Sequence, residues 1–245
     1  PMHPAYILHA RPYRETSLLL EAFTRDHGRI GVIARGVRGT KGQALRAVLQ
    51  PFQPLLLAWG GRGDLMRMTG AEPAGAALAL EGSALLSAFY LNELVLRLLP
   101  RGEAQIALFW RYAECLGLLA EGAHAPGWEL RRFERDLLAA AGYALELETE
   151  ADGGRALDSE MRYRFDPVSG PYQVRDAPVP GTISGAALLA LGEDRVPDAV
   201  GLRELRRLMR DVLRHHLGGR ELRSWQVLAD LSVAARSAGG EGGQD

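Results

Sequence analysis

Between Arg29 and Arg46 the sequence places Arg29, Arg35, Arg38, Lys41 and Arg46 with no acidic residue among them. Cations at that density attract a polyanion, and the phosphates of nucleic acid are the polyanion they suit. Gly36, Gly39, Thr40 and Gly42 make residues 35–42 a pliant loop whose backbone and cations can approach phosphate closely. A plain solvated loop explains the same composition equally well. Arg11, Arg14, Arg62 and Arg67 enlarge the cationic set. Across the first seventy residues ten basic side chains face four acids (Glu15, Glu21, Asp26 and Asp64), a balance of +6. The whole chain has a net charge of −1, so the remainder carries −7. That asymmetry suits a polyanion-binding module joined to something else, with a chance scatter of solvated charges as the alternative.

Stacking on bases needs exposed rings. Tyr13, between Pro12 and Arg14 in an expected turn, is the stacking candidate. Trp59 shares a strand face with Leu55 and Leu57 and is expected in the core.

The search for catalysis finds little. Gly39-Thr-Lys-Gly42 does not have the GxxxxGK[ST] spacing of a phosphate-binding loop, and no HExxH, GxSxG or CxxC motif is present. His215 and His216 are adjacent on an expected helix and diverge, so they cannot share a metal. Asp152, Asp158 and Glu160 lack a matched base or nucleophile. Cys115 is the single cysteine, which leaves no internal disulfide or thiolate cluster and points to a reducing compartment. The expectation is a non-enzymatic protein with no cofactor and no metal. A hydrolase or nuclease would need a clustered site that the sequence does not offer.

The second half offers cations of another kind. Over residues 201–217, Leu202, Leu205, Met209, Val212 and Leu213 form an apolar stripe, and Arg203, Arg207, Arg210 and Arg214 fall opposite it. Over residues 130–136, Leu130, Phe133 and Leu137 form the buried side beside Arg131 and Arg132. Pairing of Arg131 with Glu134 and of Arg132 with Asp136 along the helix is the plain explanation of those arginines. Left free, they would make a cationic border to an apolar groove, suited to an acidic peptide with a hydrophobic end.

These residues need elements to hold them. Residues 6–11, 17–24, 29–35, 54–59 and 64–69 read as five short strands separated by turn signals. Asp26-His27-Gly28 is expected to form a three-residue hairpin with Gly28 at positive φ. Five strands in about seventy residues fit a small closed barrel of OB-fold type. After Pro73 the pattern turns helical, over 74–99, 103–121, 128–141, 184–191, 201–217 and 221–235. The stretch 146–182 breaks it with an isolated hairpin at 161–174. The expected organisation is an α+β chain with a DNA-binding barrel at 1–73, a helical domain at 74–236 containing the insert 146–182, and a disordered tail at 237–245. No run of eighteen apolar residues and no secretory signal pattern is visible, so a membrane partner is not expected.

Arg11-Pro-Tyr-Arg-Glu-Thr-Ser-Leu18, Gly28-Arg-Ile30, Ala34-Arg-Gly36, Leu49-Gln-Pro-Phe52 and Gly60-Gly-Arg-Gly63 stand in the order and spacing of a known family. So do Tyr90-Leu-Asn-Glu-Leu94, Leu130-Arg-Arg-Phe-Glu134 and Leu217-Gly-Gly-Arg-Glu-Leu222. The chain resembles the RecO family of bacterial recombination mediators over nearly its whole length. The resemblance implies an N-terminal OB-fold, a helical C-terminal domain, and binding of single- and double-stranded DNA. It also implies ATP-independent strand annealing, and loading of recombinase, together with RecR, onto DNA coated by single-strand binding protein. It implies that the helical domain takes the acidic, hydrophobic-ended tail of single-strand binding protein, with Arg131 and Arg132 in the matching stretch. Arg207 and Arg210 join that set on helical geometry alone. Many relatives carry a four-cysteine zinc module in the insert, but residues 146–182 hold no cysteine, so no zinc is expected. Such a mediator would work in the cytoplasm, on the bacterial nucleoid. A protein-binding scaffold with incidental DNA affinity is the reading from a different class.

Overall fold

The computed structural model describes residues 1–39, 42–122, 126–175 and 179–227. Lys41 and the expected tail 237–245 lie outside the described residues.

The N-terminal strands are β1 (His3–Tyr13), β2 (Ser17–Thr24), β3 (Gly28–Ala34), β4 (Leu55–Gly60) and β5 (Leu65–Pro73). They close into a barrel in the order β1-β2-β3-β5-β4, with β3 and β5 parallel and the other pairs antiparallel. Alternation puts Ile7, Leu20, Val32, Leu55 and Leu57 inside, all essentially buried. A short helix, α1 (Gln43–Val48), lies between β3 and β4, and its Leu45 and Val48 pack on that interior. This is the OB-fold arrangement. The sequence assigns no element to residues 43–48, beyond the loop expected at 35–42.

The β2–β3 turn shows why a glycine stands at position 28. Gly28 has φ +63°, and a Cβ there would lie 1.8 Å from the backbone oxygen of Glu103. The neighbouring Gly102 amide donates to the Arg29 carbonyl at 3.0 Å. The barrel is therefore hydrogen-bonded to the connection that follows the next helix.

That helix is α2 (Gly82–Leu98), followed by α3 (Ile106–Ala120) and α4 (Pro126–Ala140). The alanine-rich residues 74–81 are not helical, which corrects the expected start at Ala74. Gly82 sits at φ +53°, outside right-handed helical space, and ends any continuation toward Ala74. The hydrophobic core of the helices takes in Tyr6, Leu8, Phe23 and Phe52 from the outer face of the barrel. Tyr6 and Phe23 meet Phe109 and Tyr112 with ring centroids 5.2–5.8 Å apart.

The insert holds β6 (Arg162–Asp166) and β7 (Gly170–Val174), the expected hairpin. It is not isolated: β8 (Ile183–Ser184) pairs with β6 and leads directly into α5 (Gly185–Gly192). The Ser184 side chain caps α5 by accepting from the Ala187 amide. Helix α6 (Ala199–His216), capped by Asp198, packs between α4, α5 and β8, and residues 223–227 begin a further helical turn.

Candidate nucleic-acid interface and peptide pocket

The cations of the barrel divide by where their strands end. Tyr13 pairs with Ser17 and Leu18 with Ala34, so the β1–β2 turn and the end of β3 lie side by side. The Arg38 amide donates to the Thr16 carbonyl at 3.0 Å, and Arg38 Nη1 donates to the Arg14 carbonyl at 3.2 Å. Arg11, Arg14, Arg35 and Arg38 are thereby gathered on one rim of the barrel, all exposed. The Arg14 guanidinium stands 5.3 Å from the Tyr13 ring centroid, and Tyr13 is half-buried rather than fully exposed. Arg46 adds an exposed cation on α1.

The other cations are placed differently. Arg67, the third residue of β5 and exposed, lies beside Ile33, two residues short of Arg35. Arg62 lies in the β4–β5 turn, which the pairing of Leu65 with Gly31 sets toward the start of β3, away from the Arg35 rim. Arg29 has an internal role. Its Nε donates to the Leu99 carbonyl at 2.9 Å and its Nη1 to Glu21 at 3.2 Å, while Arg101 holds the other oxygen of the same carboxylate. Burial lowers the Arg29 pKa; Glu21 opposes the shift and the neighbouring Arg101 adds to it. The expectation of Arg29 as a phosphate contact meets a side chain already engaged between barrel and helices. Trp59, expected in the core, packs partly against the barrel interior and partly against His3 and His27, at 4.9 and 5.2 Å between centroids.

The second site is a cavity of about 440 Å³ between α2, α4, α6 and residue Trp225. Leu130 and Leu119 give it apolar wall, and Arg131, Arg206 and Arg210 give it cations. Arg210 stands 5.2 Å from the Trp225 ring centroid. Glu93 fixes Trp225 by accepting from the Arg223 and Ser224 amides at 2.8 and 3.0 Å. At the cavity floor Tyr90 Oη and Arg131 Nη2 both donate to Glu134 Oε1, each at 2.5 Å. The Tyr90–Leu94 stretch is accounted for residue by residue. Asn92 donates to the Leu8 carbonyl and accepts from Tyr112, and Leu91 and Leu94 are core.

Several sequence expectations change here. Arg131 does pair with Glu134. Arg132 does not pair with Asp136: it donates to Glu129 at 2.9 Å and to both oxygens of Asp194, away from the cavity. Asp136 pairs instead with Arg111 and Arg135. Phe133 is fully buried among core residues and does not line the cavity. Arg207 donates to the Thr182 carbonyl at 2.5 Å, on the flank of α6 facing the insert. Arg206, which the helical pattern left out, is the residue that lines the cavity with Arg210. Residues one apart on a helix differ by about 100°, so only the packing of α6 on α4 selects Arg206 over Arg207.

Burial pushes the Cys115 thiol up to about 12, which keeps it in the neutral form. Among the described residues no group of three metal-ligating side chains is brought together, and no helix is long and apolar enough to cross a membrane.

Residues 2–77 match the family described as Recombination protein O N terminal, and residues 80–226 that described as Recombination protein O C terminal. The chain is 47% identical over 231 residues to the DNA repair protein RecO of Xanthomonas euvesicatoria pv. vesicatoria, covering 93% of this chain and 95% of the relative. It is 47% identical over 230 residues, with the same coverage, to that of Stenotrophomonas maltophilia strain R551-3.

Proposed function

The chain belongs to the recombination protein O family of DNA repair proteins, and from that premise we propose that it binds single- and double-stranded DNA along the Arg11–Arg14–Arg35–Arg38 rim of its barrel. Bound this way, complementary strands anneal without ATP, because a polycationic rim lowers the repulsion between their phosphates. With RecR, the protein helps load recombinase onto DNA coated by single-strand binding protein, in the cytoplasm on the nucleoid. The acidic, hydrophobic-ended tail of that binding protein docks in the cavity lined by Leu130, Arg131, Arg206, Arg210 and Trp225. The observation that carries the DNA reading is the hydrogen-bonded approach of the 35–39 loop to the β1–β2 turn, which places four exposed arginines together.

The test is the salt dependence of single-strand binding. If these four and Arg46 each meet a phosphate, log K should fall against log salt with a slope of roughly −3.5. Replacing Arg14, Arg35 and Arg38 together with alanine should flatten the slope by roughly 2. An unchanged slope in that variant would remove the rim from the DNA path.

A further inference from the structure

The floor of the peptide cavity contains a feature that the docking of an acidic chain does not by itself explain. A carboxylate, Glu134, stands within a pocket whose other charges, among the described residues, are Arg131, Arg206 and Arg210. It has no exposure, yet only one of its oxygens is used. Oε1 accepts from both Tyr90 and Arg131, while among the described residues Oε2 has no hydrogen-bond partner, and neither does Arg131 Nε. A purely structural carboxylate at this depth would be expected to engage both oxygens.

We propose that Glu134 positions Arg131 and Tyr90 through its single engaged oxygen, and that its negative charge sets how strongly the cavity holds an acidic chain end. This rests on the reading of the cavity as the site of an acidic peptide. With Glu134 ionised, the Arg131 charge is largely cancelled where it stands, and Arg206 and Arg210 carry the attraction. With Glu134 neutral, Arg131 keeps its place by donating to the same oxygen and its charge becomes available to the ligand.

The groups facing Glu134 come from every helix around it: Arg131 on α4, Tyr90 on α2, Arg206 on α6 and the neutral Cys115 thiol on α3. Burial raises the Glu134 pKa, and Arg131, Tyr90 and Arg206 oppose that rise without cancelling it. The direction follows. As pH falls, Glu134 takes up its proton before the peptide's own aspartates do, so binding tightens on acidification before those aspartates are lost.

Two substitutions separate positioning from charge. Glu134→Gln keeps an oxygen for Tyr90 and Arg131 and removes the charge, with two amide N–H donors in the place of Oε2. Glu134→Ala removes the anchor as well. The probe is a fluorescent peptide of four aspartates ending in leucine, titrated against the full chain from pH 7.5 down to 4.5, just above the range of its own aspartates, with a thermal melt of each variant.

E134Q should bind about tenfold tighter than wild type at pH 7.5, as expected for one charge removed a few ångströms from the ligand. It should also show no tightening on acidification, whereas wild type does. E134A should bind more weakly than E134Q, and if it fails to fold, E134Q alone decides. Wild-type binding with E134Q no tighter, or with the same pH response in both, overturns the role of Glu134 and leaves the peptide pocket standing. A wild type that does not bind the peptide at all overturns both.

Discussion

Arg132 and Asp194 meet through two parallel hydrogen bonds, Nε to Oδ1 at 3.0 Å and Nη2 to Oδ2 at 2.7 Å, which clamp the α5–α6 connection onto α4. Arg132 holds the Asp194 pKa down at about 2, with Arg135 adding to the effect. A carboxylate whose folded pKa is depressed stabilises the fold above its unfolded value near ~3.9, and that contribution is lost as pH falls toward about 2. The chain should therefore lose stability between those limits. Asp194→Asn should remove part of that acid dependence in urea titrations at pH 2.5 and 7. Because the Asp194 side chain is 40% exposed, the cost at neutral pH should stay within about 1 kcal/mol.

Gly28→Ala should be among the costliest single-methyl changes in the chain. The new Cβ would need the φ +63° backbone of a left-handed residue and would collide with the Glu103 carbonyl, which is main chain and cannot swing aside. Strain and displacement together should cost roughly 3–5 kcal/mol, read from the midpoint of urea unfolding. A loss under about 1 kcal/mol would mean that the barrel is not held to the 101–103 connection in solution.

What could be read in the sequence follows from the range of the forces involved. Short apolar runs, partly β-branched or aromatic and bounded by turn signals such as Asp26-His27-Gly28 and Gly60-Gly61-Arg62-Gly63, announced the barrel, because those signals are local. The stripe of Leu205, Met209, Val212 and Leu213 announced α6 for the same reason. Helix α1 was missed because six residues between a glycine-rich loop and Leu49-Gln-Pro-Phe52 carry too few turns to show a period. The site was less legible than the fold. Which flank of α6 meets α4, and so whether Arg206 or Arg207 reaches the cavity, is fixed by packing between elements far apart in sequence. The use of Arg29 at Leu99 and Glu21 is equally non-local. Glu93 as the cap beneath Trp225 joins residues about 130 positions apart and left no sequence signal.

Arg29→Ala should separate two readings of one cation. If Arg29 met phosphate, its loss would flatten the salt slope by about 0.7. Its bonds to Leu99 and Glu21 argue otherwise, so the slope should stay unchanged while the protein loses about 2 kcal/mol of stability. Salt titration of DNA binding and urea unfolding of the same preparation supply both readouts. A flattened slope at full stability would return Arg29 to the DNA path.

The cavity and the rim should respond to different substitutions. An acidic chain end needs fixed cations for its carboxylates and an apolar wall for its terminal side chain. Arg206 and Arg210 meet the first need with exposed guanidinium groups, and Leu130 and Trp225 meet the second. Replacing either arginine with alanine should weaken binding of an acidic, leucine-ended peptide by about 1–3 kcal/mol, the range for a hydrogen bond to a charged group. Arg132→Ala and Arg207→Ala should leave that affinity within about twofold, a few tenths of a kcal/mol. Arg132 faces Glu129 and Asp194, and Arg207 the Thr182 carbonyl, so neither points into the cavity. None of the four should alter the salt slope of single-strand DNA binding if, as proposed, that slope comes from arginines on the barrel. Titrating the peptide and a DNA strand separately against each variant decides the matter. Equal losses for both ligands at Arg206 or Arg210 would mean that DNA and peptide share one surface, and the division of labour between barrel and helices would have to be abandoned.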